Sequence, residues 1–320
     1  MIFYVYMDPN VLSTENLQHK YAMQTFIGTV RGFLQNCFIA EFEDYRIQES
    51  IKIQVNRLPD SFDRKIIKAL LKTLMKRNHF IYCLIPDHSG IKNDFTCALE
   101  QAAGTFLDLL LVEEIDDELE IPAGVEIASL ATYQNTDFEI RRSKLASDGL
   151  IIKNGNLEEE DFWDQCLKKA LRFSTRIEIC DRLFGKMFAD NYKYNVKIML
   201  RWLERILIDP DNCSLLFHCE KPDGFTDQYM AAELTALKKG RISNMPIAVQ
   251  FYQHPGLANC LPHARFILTD QIVLKIDPGM DFLDPKTGKN RDACIECKSS
   301  KEVNTLLKSY SHAMLPLVSI

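Results

Sequence analysis

The 320-residue chain predicts an α/β protein of two domains, each a mostly parallel sheet flanked by helices. Short β-branched and apolar runs alternate with segments whose apolar residues recur at helical spacing, the pattern of strand–helix–strand units. Domains typically hold about 100 to 200 residues, so a chain of this length divides. A polar, turn-rich stretch over 123–156, with Gly149 and Asn154-Gly155-Asn156, marks the division. The expected layout is a first domain over 1–135, a linker over 136–156 and a second domain over 157–320.

In the first half, residues 2–7 form a hydrophobic strand ending at Asp8-Pro9-Asn10, and a helix follows over 17–35. Residues 54–77 are helical by the spacing of Ile66, Ile67, Leu70, Leu71 and Leu74, with Pro59 interrupting the start. A strand over 80–85 follows. Asn93 then caps a helix beginning at Asp94. Residues 107–112 form a buried strand, and the acidic run Glu113, Glu114, Asp116, Asp117, Glu118, Glu120 comes after it. Open α/β sheets place their sites at the carboxyl ends of strands, so Asp8 stands where a functional side chain is expected.

In the second half, a helix spans 157–173, acidic in its first turn and basic near its end. Thr175, Ile177 and Ile179 alternate along a strand ending at Asp181. A helix over 191–207 carries Lys193, Lys197, Arg201 and Arg205 at four-residue steps, a stripe of like charge that bound phosphate would relieve. Strands over 215–219 and 248–252 flank a helix over 230–239. Residues 265–269 and 272–276, separated by Asp270-Gln271, make a hairpin. His263 and Arg265 are expected on one strand face, lining one anion-binding pocket with Asp181, while Asp270 closes the hairpin at the far end.

Composition narrows the class. With 47% hydrophobic and 26% charged residues, the balance is that of an ordinary globular chain. No apolar run reaches the roughly 20 residues that span a bilayer. The opening MIFYVYMDPN lacks the basic flank and cleavage site of a signal peptide, so a cytoplasmic location is expected. A net charge of −6 argues against a protein that coats nucleic acid with its whole surface and leaves a local basic patch open. The ten cysteines are scattered, in the manner of reduced core thiols. Cys294 and Cys297 alone have ligand spacing, and a structural zinc would need two more ligands from among His218, Cys219 and Cys260.

Met7-Asp8-Pro9-Asn10-Val11-Leu12 is similar to the opening Asp-x-Asn pattern of PIN-type nuclease domains. In that family an Asp after the first strand joins later acidic residues to hold divalent metal over a phosphodiester. The resemblance implies Mg²⁺ or Mn²⁺ on Asp8 and Asp94, with further ligands from Glu41, Glu43, Glu113 and Glu114. Hard oxygen donors suit either ion. The residues by themselves also fit a loop cap at Asp8 and a solvated acidic run.

His263-Ala264-Arg265-Phe266-Ile267-Leu268-Thr269-Asp270 departs by one residue from the His-x-Lys-x4-Asp signature of the phospholipase D superfamily. There the His is the nucleophile and the Lys grips the phosphate. With its tail, HARFILTDQIVLKIDPGMDFLD, and with the strand RIEICDRLFG at 176–185, the second half resembles the phospholipase-D-like domain that follows the microtubule-interacting module in MIT-domain proteins. The superfamily implies catalytic roles for His263, Arg265 and Asp270. Its single-motif members complete the site by dimerising, which implies a homodimer, whereas members with this tail are binding folds.

Two functions follow. One is a metal-dependent nuclease or phosphodiesterase whose second domain binds nucleic acid or a partner protein, an arrangement that suits a multi-component bacterial antiviral defence system. The other is a non-catalytic module that binds anionic polymer, lipid or protein through Arg265, Asp181 and the Lys193–Arg205 stripe.

Overall fold

In the computed structural model, which describes residues 2–116, 118–186, 190–221, 227–239, 244–254, 260–277 and 279–320, the chain forms two units, Met1–Ser147 and Asp148–Ile320. Asp117 of the acidic run and Pro278 of the hairpin tail lie outside the described residues.

The first unit runs β1 (Phe3–Met7), α1 (Lys20–Asn36), β2 (Cys37–Phe42), α2 (Arg46–Arg57), α3 (Phe62–Lys76), β3 (Phe80–Leu84), α4 (Asp94–Gln101), β4 (Leu109–Leu111), β5 (Glu126–Ala128) and α5 (Asp137–Asp148). Its sheet has the order β3-β2-β1-β4-β5, and every pairing is parallel. Every residue of β1 and β2 is buried, as befits central strands covered on both faces. On α1, Met23, Phe26, Ile27, Val30 and Phe33 make the buried stripe. Asn93 caps α4 as expected, its side chain accepting from the Thr96 amide at 2.8 Å. The expected helix over 54–77 is two helices: Pro59 ends the first, and Ser61 caps the second by accepting from the Arg64 amide at 3.1 Å.

Residues 136–156 are no linker. Most of them belong to α5, whose Phe138 is fully buried and stands edge-on to Phe3 with centroids 5.2 Å apart. Arg142, buried on the same helix, pairs with Glu139 at 2.7 Å and donates to the Gly32 carbonyl at 3.2 Å. A Cβ on Gly32 would lie 2.8 Å from the Arg142 guanidinium carbon. Turn-forming residues mark where an element can stop, and here they delimit structured elements.

The second unit runs β6 (Leu150–Ile152), α6 (Glu159–Cys166), α7 (Lys168–Leu171), β7 (Arg176–Cys180), α8 (Arg182–Lys186), α9 (Asp190–Ile206), β8 (Ser214–Glu220), α10 (Asp227–Lys238), β9 (Ile247–Tyr252), β10 (Phe266–Thr269), β11 (Val273–Asp277), β12 (Ala293–Lys298), α11 (Ser300–Ser309) and β13 (Val318–Ser319). Its sheet order is β13-β9-β8-β7-β10-β11-β12-β6. Only β7–β8 and β8–β9 are parallel; the other pairings are antiparallel, so the expectation of a mostly parallel second sheet is corrected. Helices separate β7, β8 and β9, whereas the chain from β10 to β12 returns on itself without a helix, which makes antiparallel neighbours. Val303 of α11 joins Cys180, Tyr252, Phe266 and Leu268 in one buried cluster.

Each unit buries a neutral histidine. His79 reaches the Cys37 carbonyl at 2.7 Å, and His218 lies between Glu178 at 2.9 Å and the Tyr252 hydroxyl at 3.0 Å. Burial pushes both imidazoles down to about 4. The unfolded chain takes up these protons nearer pH 6.5, so stability should fall as pH drops from about 6.5 through about 4. Urea unfolding across that window should show the fall, and a His79→Gln/His218→Gln double variant should show a shallower one. An unchanged slope in the double variant would assign the effect elsewhere.

Candidate functional site

The strand order of the first sheet reverses between β1 and β4, and the crevice beyond the carboxyl ends at such a switch point is where open α/β sheets bind ligands. Asp8 follows β1 there. Its amide donates to the Leu111 carbonyl at 2.8 Å, and its Oδ1 accepts from the Asn10 amide at 2.8 Å, capping a short turn over Pro9–Leu12. The cap and the carboxylate site are therefore properties of one residue. Burial raises the Asp8 carboxyl above its ordinary range; the Asn10 amide opposes this, while the charges of Glu113 and Asp94 push it further up.

Asp94 opens α4 and lines the same cleft as Asp8, a space of about 290 Å³ with Tyr6, Asn10, Ser50 and Gln54 on its walls. Arg46 grips Asp94 at 3.0 Å and holds Asp44 as well, with its guanidinium 5.1 Å from the Phe42 ring centroid. Sequence reasoning missed Arg46 because its partner is 48 residues away. Glu113 follows β4 on the other side of the switch point and accepts from Ser13 at 3.2 Å and from Asn16 at 2.9 Å. Tyr6, fully buried, has its hydroxyl pushed well above the usual phenol range by burial and then by Asp8 and Asp94.

The other expected ligands, Glu41, Glu43 and Glu114, do not line that cleft. Glu41 is fully buried, and its carboxylate accepts from the amides of Phe42 at 2.8 Å, Ile47 at 3.0 Å and Gln48 at 2.8 Å. It satisfies the open amides at the start of α2, where a negative charge is favoured. Glu43 and Glu114 are exposed on the turns after β2 and β4. Among the described residues no group of three or more His, Cys, Asp or Glu stands ready for one ion. Mg²⁺ usually keeps several waters and takes one or two carboxylates plus a substrate phosphate, so the Asp8–Asp94 pair fits it and chemically similar Mn²⁺.

In the second unit, Asp181 and Arg265 do meet, by a route opposite to the one expected. Because β10 runs antiparallel to β7, with Phe266 facing Cys180, the residue before β10 lies beside the residue after β7. Arg265 Nε is 3.7 Å from Asp181 Oδ1, and its Nη1 is 3.3 Å from Asp277. Asp181 is almost wholly buried and also accepts from the amides of Met280 and Leu183, each at 2.9 Å, and from the Tyr192 hydroxyl at 3.3 Å. Burial raises its carboxyl, while these donors and Arg265 oppose the rise. Gly279, at φ +105°, passes so close that a Cβ would come within 2.5 Å of both Arg265 and Asp181. The remaining void is about 10 Å³, close to the least that one water needs. It has no room for phosphate.

His263 precedes the strand, is exposed, and does not line that void. Asp270 lies at the other end of β10, where it accepts from the Thr175 amide at 3.1 Å; it is separated from Arg265 by the strand's length and closes the hairpin. The cationic stripe of α9 is likewise committed. Lys193 pairs with Glu233, Arg201 with Glu159, and Arg205 with Glu160 at 2.8 Å, while Lys197 stays exposed. The acidic first turn of α6 thus relieves the repulsion for which bound phosphate was expected. Each such exposed pair contributes about 0.2–1 kcal/mol.

Comparison with family models, with curated proteins and with solved structures yields no match for this chain.

Proposed function

We propose that the first unit hydrolyses phosphodiester bonds of nucleic acid with Mg²⁺ or Mn²⁺ held at Asp8 and Asp94, and that the second unit docks nucleic acid or a partner protein. One observation carries the reading: a half-buried, charge-pressed Asp8 at a sheet switch point shares its cleft with Asp94 and has Glu113 within electrostatic reach. A bound divalent ion would supply an activated water and stabilise the leaving oxygen. Arg46 fixes the Asp94 carboxylate by its 3.0 Å contact. Tyr6, on the cleft wall, keeps its proton, because burial and then the charges of Asp8 and Asp94 disfavour its ionised form. The raised carboxyl of Asp8 must lose its proton before it can hold the ion, so the reaction should gain rate as pH rises through that ionisation.

The decisive assay incubates the purified protein with labelled RNA and DNA, with Mg²⁺, with Mn²⁺ and with chelator. Cleavage should require metal and should disappear in Asp94→Asn; no cleavage of either polymer under any condition overturns the reading. Glu113→Gln removes the larger of the two charges that raise Asp8, so the acid limb of the pH–rate profile should move to lower pH. A limb that stays in place would mean that Asp8 does not govern it.

A second reading has its own observation, the neutralisation of Asp94 by Arg46 at 3.0 Å. It makes the chain a non-catalytic module for anionic polymer, lipid or protein. Arg265, Lys193, Arg201 and Arg205, the cations it would use, are engaged in ion pairs. Metal-independent binding without cleavage in the same assay selects it.

A further inference from the structure

We propose that the cavity on the far side of Glu113 is a nucleobase subsite and that Tyr21 is its stacking platform, so that the substrate is single-stranded. This inference rests on the phosphodiesterase reading of the Asp8–Asp94 cleft. The cavity holds about 200 Å³; its lining includes Val11, Val112, Leu130 and Tyr21, with Asn16, Thr25, Ser129 and Glu113 as its polar groups. A nucleobase has apolar faces and a polar edge, which is the chemistry of this lining. Tyr21 belongs to the first turn of α1 and is 84% exposed, more than any other described aromatic residue. A single exposed ring on a surface is ordinary. This one lines a largely apolar cavity, and an aromatic face there gives a base a surface to stack on.

Position ties the cavity to the cleft. Val11 lines the cavity and the preceding Asn10 lines the cleft, and the Asn16 side-chain amide in the cavity donates to the Asn10 carbonyl at 3.1 Å. A phosphate at Asp8 and Asp94 therefore places the adjoining nucleotide's base toward Tyr21. In a duplex that base is paired and stacked within the helix and cannot enter, whereas in a single strand it is free to do so.

The test uses the full chain, a short oligouridine, the same strand in a duplex, and bis(p-nitrophenyl) phosphate, a diester with no base. Trp163 and Trp202 are buried, so Tyr21→Trp adds an exposed reporter. Its fluorescence should be quenched by the oligouridine and not by the duplex. Tyr21→Ala should weaken oligouridine binding by on the order of tenfold and slow its cleavage, while leaving hydrolysis of bis(p-nitrophenyl) phosphate unchanged. If the wild-type chain hydrolyses both substrates and Tyr21→Ala cleaves oligouridine as well as wild type does, the subsite is overturned and the hydrolase reading stands. If nothing is cleaved yet Tyr21→Ala loses oligouridine binding, the subsite stands and the hydrolase reading fails. Absence of quenching together with unchanged affinity in Tyr21→Ala overturns the subsite in either case.

Discussion

Asp8→Asn will lower metal-dependent cleavage by at least about 100-fold and at the same time raise the melting temperature at pH 7. The activity estimate follows from the cost of disturbing residues that merely orient metal ligands, which is already about 10- to 100-fold. The stability gain follows from linkage. Burial and two neighbouring carboxylates raise the folded Asp8 carboxyl above its unfolded value, so its ionisation costs stability once pH has risen through the folded value. An amide lacks that charge and still accepts from the Asn10 amide. The advantage should vanish below about pH 4, where the carboxyl is protonated in both states. Thermal unfolding at both pH values, beside the nuclease assay, checks the pair. Unchanged cleavage removes Asp8 from the site, and a loss of both activity and stability at pH 7 would leave it only its capping role.

Arg265→Ala should destabilise the second unit by about 3 kcal/mol, because it leaves the buried Asp181 carboxylate without its cation. Urea unfolding followed by Trp163 and Trp202, both in that unit, would read the loss. Affinity for oligonucleotides should remain at the wild-type level under conditions where the variant is folded. Arg265→Met combined with Asp181→Asn should recover part of the stability by removing both charges. If Arg265→Ala loses oligonucleotide binding with an unchanged unfolding midpoint, Arg265 is a ligand-binding residue and its ion pairs are secondary.

What was legible in the sequence was local. Asn93 announced α4, alternation along 175–179 announced β7, and Asp270-Gln271 announced the β10–β11 hairpin, because a cap, a period of two and a turn are written in adjacent residues. β2 was missed since Asn36 of α1 leads directly into Cys37 with no breaker between, and CFIAEF has the apolar density of a helix end. Asp8 and Asp94 could be named from their places after a strand and at a helix start. Pairing was not legible: Arg46 on Asp94, Glu41 on the α2 amides, and Glu159 and Glu160 on the α9 cations are set by tertiary distances. Residue type placed Arg265 and Asp181 together in a phosphate pocket; burial turned the same pair into a brace.

The pairing of β6 with β12 sets an order of events during synthesis. Leu150 faces Ile295, and Gly149, at φ +72°, sits where a Cβ would meet the Ile295 carbonyl at 2.8 Å. The first unit ends at Ser147, so it can close while the rest of the chain is still being made. β6 leaves the ribosome next and has no partner until β12 follows, roughly 7 to 30 s later at about 5 to 20 residues per second. During that interval Leu150–Ile152 is an unpaired strand edge, open to pairing with a neighbouring nascent chain. Crowding of translating ribosomes should therefore lower the yield of the second unit more than that of the first, and slower elongation upstream of β12 should deepen the difference.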